Sequence, residues 1–390
     1  MEIKALFCFL AIGLFCRAGE IQADTRARVI FIGDVMAHQE QIDGARSSDL
    51  WDFSHQFRSV KPLFKDAMTV ANLETVFAGE KSGFAGYPSF NAPDELALAL
   101  SDLGVHIVTL ANNHILDRGE SAAARTSKVL DEAGIMWTGL GGGSDKDPGG
   151  PLVVEYAGLK WAFVNYSYGS NNPQKSRSIS DDDRIFLNTI SSESITEGLS
   201  AAREAGSDIV VACLHWGNEY QFDPTARQRE VAALCVKNGA DLVIGTHPHV
   251  LQPVEIRSSD RGYAVIAYSL GNFISYQRTT PRERSVILAV DVEKKSGKSA
   301  GISRVLVAPT RVSATGPSGR RKIIVVYAGD RDLPGADDLP EAELRRARTI
   351  GRNVLDFLGA SDTAGDDGFY SLWDAADPAA LPEGRRKSPE

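Results

Sequence analysis

Five short apolar runs in this chain each stop at a cluster of polar, metal-seeking residues, and few folds can satisfy that pattern. Val29-Ile30-Phe31-Ile32 runs into Gly33-Asp34, and Met68-Thr69-Val70-Ala71 into Asn72-Leu73-Glu74. Ile107-Val108-Thr109-Leu110 precedes Asn112-Asn113-His114. Ile209-Val210-Val211-Ala212 leads to His215-Trp216-Gly217, and Leu242-Val243-Ile244 to Gly245-Thr246-His247-Pro248-His249. Each run has the length of a strand and few polar breaks, as strands buried on both faces do. Groups at the ends of such neighbouring strands can converge on one point. Carboxylate, amide and imidazole are donors that divalent cations accept. The pattern predicts a metal centre and, with it, hydrolytic chemistry.

Between the runs the periodicity changes. Helical segments are predicted near 56–66, from Ala92-Pro93-Asp94-Glu95 to Leu103, from Glu120 to Ala133, over 192–205 and from Pro224 to Asn238, so strand and helix alternate from about 27 to 250. Pro151–Tyr156 and Trp161–Tyr166, joined by Ala157-Gly158-Leu159-Lys160, read as a hairpin. Polar residues 169–188 read as a long loop. Beyond 250, strand-like runs at 263–268, 285–292, 302–308 and 322–327 follow one another. Alternation followed by a strand-rich end predicts a layered α/β sandwich. Residues 24–312 are expected as the main domain, and 313–390 as an extension with one strand, a helix at 339–358 and a loose tail from 360.

Residues 1–23 read as an export signal. Lys4 precedes an apolar run at 5–16, and Ala18 or Ala23 offers a small-residue cleavage site. The run is too short to span a bilayer comfortably. A periplasmic or extracellular protein is expected, membrane-associated if the segment is retained. The formal charge is -9, and removing Lys4 and Arg17 together with Glu2 and Glu20 leaves it there. So acidic a chain does not favour nucleic acid or an anionic membrane surface. An anionic substrate would need bound cations to draw it in. Cys213 and Cys235 fall in apolar surroundings and form no Cys-x-x-Cys pair, which removes zinc-finger and thioredoxin chemistry.

Each candidate has a structural reading beside its functional one. Asp34 is a hard metal ligand or a helix cap. Asn72 and Glu74, two apart on a strand, share a face, so Glu74 can bridge two metals while Asn72 orients it. Otherwise they form a surface polar pair. Asn112, Asn113 and His114 directly after a buried strand are hard to explain by packing. Asn113 can offer its side-chain oxygen to a metal, and His114 can protonate a leaving oxygen or stabilise developing charge. Asp117, three residues on, is the second catalytic candidate. His215 is a candidate ligand with Glu219 as its supporting partner. His247 and His249, spaced around Pro248, can each direct a nitrogen at adjacent metal positions. Asn272, in Ser269-Leu270-Gly271-Asn272-Phe273, reads as architectural or substrate-adjacent. His38 reaches the metal only if a helical turn follows Asp34, while His55 and His106 read as packing or surface residues.

Taken in order, the segments Gly33-Asp34-Val35-Met36, Ala71-Asn72-Leu73-Glu74, Ala111-Asn112-Asn113-His114, His215-Trp216-Gly217-Asn218-Glu219-Tyr220, Gly245-Thr246-His247-Pro248-His249 and Ser269-Leu270-Gly271-Asn272-Phe273 resemble the CapA family of poly-γ-glutamate capsule synthesis proteins. That family resembles the calcineurin-like metallophosphoesterases, which implies a four-layer α-β-β-α sandwich with a dinuclear centre. The resemblance implies that Asp34 and His249 hold one metal, that Glu74 bridges, and that Asn113, His215 and His247 hold the second. His114 would be the acid or charge-stabilising group. One or two divalent ions are implied, of the Mn, Zn, Fe or Mg kind. Met36 stands where the wider superfamily has a histidine, which removes one nitrogen ligand. The implied function is an exported, metal-dependent hydrolase of capsule synthesis acting on a phosphoester or an anionic polymer, with membrane-bound polymer synthases as partners. The alternative is a non-catalytic partner that holds the polymer.

Overall fold

A computed structural model describes residues 24–47, 50–142, 149–172, 185–277, 279–331, 333 and 339–377. The expected signal at 1–23 lies outside the described residues, as does most of the expected 169–188 loop.

The chain opens with β1 (Thr25–Val35), α1 (Gln39–Ala45) and a small ribbon of β2 (Arg46–Ser47) and β3 (Leu50–Trp51). It continues through β4 (Met68–Leu73), α2 (Glu95–Leu103), β5 (Val105–Thr109), α3 (Glu120–Glu132), β6 (Met136–Thr138) and β7 (Leu140–Gly142). The predicted hairpin is β8 (Leu152–Tyr156) and β9 (Leu159–Ser167), and β10 (Ile185–Leu187) pairs back onto β7. Next come α4 (Ser192–Glu204), β11 (Ile209–His215), α5 (Ala226–Lys237), β12 (Leu242–Thr246), β13 (Val254–Ser259), β14 (Gly262–Ala267) and β15 (Asn272–Ile274). The chain closes with β16 (Arg284–Lys294), β17 (Gly301–Thr315), β18 (Lys322–Tyr327), α6 (Glu341–Leu358) and β19 (Tyr370–Asp374). The helix expected near 56–66 is instead two 3₁₀ turns, Ser54–Gln56 and Lys61–Phe64. Pro62 lacks the N–H that an α-helix would need there. Among the described residues, no helix is long and apolar enough to cross a membrane.

Two sheets stack face to face. One runs β18-β17-β16-β1-β4-β5-β6, with β15 added to β1 and β19 to β17. The other runs β13-β14-β12-β11-β9-β8. Period-two alternation in the second sheet sends Trp161, Phe163, Ile209, Val211, Leu242, Ile244 and Val265 into one core with Val29, Phe31, Val70 and Val108 of the first. The alternate residues Ala162, Val164, Val210, Ala212, Val243 and Ile266 pack with Ile195 and Leu199 of α4 and Val231 of α5. Leu96 and Leu100 of α2, Leu130 of α3 and Ile350 and Val354 of α6 join the larger core. The protein is a four-layer α-β-β-α sandwich, as expected from the sequence.

The described residues of the 313–390 segment belong to this architecture. The boundary at 312 falls inside β17, which pairs with β18 over 310–315 and with β19 over 304–307. Residues 370–374, expected in a loose tail, are strand β19 because Tyr370, Leu372 and Trp373 are buried. The acidic, Gly-rich composition around them hid that short apolar triplet.

Candidate metal centre

All five predicted strand ends meet at one edge of the two sheets. β1 carries Asp34, and Asn72 of β4 pairs with it in parallel register. The loop after β5 adds Asn112, Asn113 and His114. From the opposite sheet, β11 ends on His215, which pairs with Thr246 at the end of β12, and His247 and His249 follow. Asp34, Glu74, Asn112, Asn113, His114, Asp117, His215, His247 and His249 are all buried.

Hydrogen bonds fix most of these side chains. Asn72 Nδ2 donates to Asp34 Oδ1 at 2.8 Å and to Glu74 Oε2 at 3.3 Å, so one amide holds two carboxylates. Asn112 Nδ2 donates to the Leu73 carbonyl at 2.8 Å, and its oxygen takes the His114 N–H at 3.1 Å. His215 Nε2 lies 2.8 Å from Asn113 Oδ1, and its Nδ1 lies 3.1 Å from Thr246 Oγ1. His249 Nδ1 is 3.1 Å from Asp34 Oδ2 and 2.9 Å from Asn272 Oδ1. Both partners are acceptors, so Nδ1 carries a proton, while Nε2 faces Glu74 Oε1 at 3.9 Å. His247 and His249 have φ of +98° and +58°, in a region non-glycine residues rarely adopt. That strain around Pro248 turns the two rings toward the centre.

The donors fall into two overlapping groups. Ligand atoms of Glu74, His247 and His249 lie within 4.8 Å of one another, and so do those of Asp34, Glu74 and His215. Glu74 belongs to both, as a bridging ligand must. The division differs from the one the resemblance implies, since His249 turns its Nδ1 onto Asp34 and its Nε2 toward Glu74 and His247. Met36 is buried and donates its N–H to the Ile274 carbonyl. His38 does not compensate: its Nδ1 accepts the Tyr276 N–H at 3.2 Å, which leaves the proton on Nε2 and no lone pair for a metal. Glu219 is exposed and hydrogen-bonds Tyr220, so Thr246 takes the place at His215 expected for it. The turn after Trp216 carries residues 218–220 out to solvent. His55 sits on the Asp52 carbonyl, and His106 is exposed and accepts the Thr69 N–H.

The residues present fit a divalent cation. Glu74 Oε1 and His247 Nδ1 are buried with no hydrogen-bond partner among the described residues. An unsatisfied buried carboxylate oxygen is costly unless a cation faces it. Burial, and then the neighbouring Asp34 carboxylate, push the pKa of Glu74 well above its ordinary range, so that it holds a proton more tightly than a free carboxylate does. Burial and the neighbouring imidazoles hold His215 well below its ordinary value, and burial and then His249 hold His247 down to about 3. Histidines that stay neutral across the physiological range keep their lone pairs for a metal.

Two features flank this cluster. His114 Nδ1 lies 2.8 Å from Asp117 Oδ2, which also takes the Phe90 N–H at 2.8 Å, and the Phe90 ring meets the His114 ring edge-on at 4.7 Å. Three partly exposed tyrosines form the rim. Tyr168 sits 4.7 Å from the His247 ring, Tyr220 6.1 Å from His249 and Tyr87 6.5 Å from His114. Burial and then Glu219 raise the Tyr168 hydroxyl to about 12, so it remains a donor. Sequence reasoning missed the tyrosines and Thr246. Tyr168 follows β9, whose register places Ser167 opposite His215, and only the order of strands in the sheet reveals that.

Residues 28–277 match the family described as bacterial capsule synthesis protein PGA_cap. The chain is 29% identical over 271 residues to the capsule biosynthesis protein CapA of Bacillus anthracis, covering 66% of this chain and 62% of that one. It is 27% identical over 305 residues to the PGA biosynthesis protein CapA of Bacillus subtilis (strain 168), covering 75% and 73% respectively. Among solved structures, it resembles a hypothetical protein from Thermus thermophilus with a TM-score of 0.41 at 17% identity, over 79% of this chain and 100% of that one. It also resembles the Thermus thermophilus sulfate thiohydrolase SoxB with a TM-score of 0.38 at 15% identity, over 76% of this chain and 46% of that one. Likenesses that loose carry no argument about chemistry. The matched segment contains every residue of the metal cluster, and the chain belongs to the bacterial capsule synthesis protein family.

Proposed function

We propose that this protein is an exported metal-dependent hydrolase of capsule synthesis, cutting amide bonds in a poly-γ-glutamate chain under construction. The observation that carries the reading is the pair of buried, unpartnered donor atoms, Glu74 Oε1 and His247 Nδ1, inside two overlapping ligand groups. The family supplies the polymer. A divalent cation there would act as a Lewis acid and make water a nucleophile near neutral pH. Asn72 holds Asp34 and Glu74 in place, and Asn113 and Thr246 orient His215. His114, its Nδ1 fixed by Asp117, has Nε2 to hand a proton to the departing nitrogen. The Tyr168 hydroxyl, kept protonated, is placed to donate to an oxygen that gains charge.

A second reading, in which the cleft holds the polymer without cutting it, is favoured by Met36 in place of a nitrogen ligand. Export by way of residues 1–23, and work alongside membrane-bound polymer synthases, belong to the same proposal. The test is elemental analysis of purified protein, followed by assay of γ-linked glutamyl oligomers and a phosphoester panel with added Mn²⁺. Stoichiometric metal with oligomer cleavage that His247→Ala abolishes is the expected result. Stoichiometric metal without turnover of any amide or ester overturns hydrolysis in favour of holding.

A further inference from the structure

We propose that Arg282, laid over the ring of Tyr220 at the mouth of the metal centre, binds a substrate carboxylate beside the bond the centre acts on. This rests on the polymer reading above. A γ-linked glutamyl chain carries a free carboxylate next to every linking amide, so a chain seated at the centre presents such a group at its edge.

The guanidinium carbon of Arg282 lies 3.7 Å from the centroid of Tyr220, whose ring is 6.1 Å from that of His249. Both arms hang from the turn that carries His249. Tyr220, at φ +64°, donates its N–H to the Pro248 carbonyl at 2.7 Å. The Arg282 carbonyl accepts from Asn272 Nδ2 at 3.1 Å, and the oxygen of that same amide lies 2.9 Å from His249 Nδ1. The structure therefore ties the position of this cation to the position of a metal-site histidine.

Among the described residues, no carboxylate lies within ion-pair distance of Arg282. The adjacent Glu283 is taken by Arg311 at 3.2 Å and Arg346 at 2.7 Å. Other arginines, such as Arg125 with Asp94 and Arg28 with Asp291, sit in ion pairs. A guanidinium held over an aromatic face by its carbon keeps N–H donors for a planar acceptor, and two parallel N–H groups match a carboxylate. The need for such a cation follows from the surroundings. The chain carries a net charge of -9, and Asp34 and Glu74 stand inside the centre. A bound cation would offset these carboxylates inside the centre, and Arg282 adds a positive group at its rim, where the free carboxylate beside a linking amide arrives.

The test measures binding by calorimetry on Mn²⁺-loaded protein, in a His114→Asn background so that the oligomer survives the titration. The probes are a γ-linked tetraglutamate and its counterpart with every α-carboxylate converted to carboxamide. The acid is expected to bind about tenfold more tightly than the amide, the scale of one charge-assisted bidentate contact. Arg282→Ala is expected to erase that preference with metal content unchanged. Arg282→Lys should retain part of it, and Tyr220→Leu should weaken it severalfold by removing the platform. A preference that survives Arg282→Ala with metal retained overturns this inference and leaves the polymer reading standing. Equal binding of both probes to the parent does the same. Loss of metal in Arg282→Ala makes the residue a part of the His249 turn and overturns the substrate role. Binding of neither probe to the parent overturns the polymer reading, and this inference with it.

Discussion

The carbonyl oxygen of Gly271 occupies the space a side chain on Gly33 would need: a Cβ there would lie 1.9 Å from it. The contact lets Asp34 donate its N–H to that carbonyl at 3.0 Å, which seats the first metal-site carboxylate. Gly245, before Thr246 and His247, repeats the device, with a Cβ falling 2.0 Å from the Tyr268 carbonyl. The segment between Tyr268 and Gly271 is thus wedged against the ends of β1 and β12 at once.

Gly33→Ala is accordingly expected to cost about 2–4 kcal/mol, because backbone on both sides must move. Metal content should fall with it. Gly150→Ala, where a Cβ meets nothing within 4 Å, serves as the control and should stay within about 0.5 kcal/mol of wild type. Urea denaturation of the three proteins checks this.

Asn72→Ala removes the amide that separates the Asp34 and Glu74 carboxylates. Loss of such an outer support usually weakens metal affinity by about 10–100-fold. Competition with a calibrated chelator should show that drop. An unchanged affinity would mean the two carboxylates hold their places unaided.

Asp117→Asn leaves the shape of the His114 pair while exchanging its charge. Turnover should fall by about 10²–10⁴-fold, as for other oriented histidines. Metal content should not change, since neither residue belongs to the two ligand groups. Equal losses of metal and turnover would move Asp117 from proton handling to scaffolding.

His38 titrates near 4 instead of 6.5, held down first by burial and then by His249. The unfolded chain therefore takes up this proton before the folded protein does. Stability from this group is complete above pH 6.5 and is lost as pH falls from 6.5 to 4, by at most about 3 kcal/mol. The difference in unfolding free energy between wild type and His38→Gln, measured across that range in metal-loaded protein, should carry this slope. A pH-independent difference would refute it.

Ending the chain at 312 cuts β17 short of Thr315 and removes β18 and β19, the two strands that pair with it along that edge. It also removes α6, which buries Ile350, Val354 and Leu358 against the sheet. The 24–312 fragment should be insoluble or more rapidly proteolysed than the full protein, while a chain ending at 377 should match the full protein in limited proteolysis.

Much of this molecule could be read from its sequence, for a physical reason. Asp34, Glu74, His215 and His247 end or directly follow largely apolar strands, and Asn113 and His249 come within four residues of a strand end, where packing has no use for a carboxylate, amide or imidazole. What stayed hidden depends on tertiary neighbours. Thr246 looks like an ordinary strand residue until β12 is laid beside β11. Tyr168, Tyr220 and Arg282 belong to loops without periodicity, and nothing local says that they face one mouth. The role expected of Glu219 failed on direction alone, since two residues of turn send it outward. Three apolar residues at 370–373 were too few to stand out against a polar tail.

Asp34, Glu74 and Asn113 come from one sheet, and His215, His247 and His249 from the other. Each of the two ligand groups draws from both sides, so a cation held by either would be a rivet through the seam of the sandwich. Sliding one layer past its partner would separate the donor atoms that such a cation needs together. Chelation should therefore do more than silence chemistry: it should let the two halves breathe against each other, and amide exchange along β1 and β12 should quicken together.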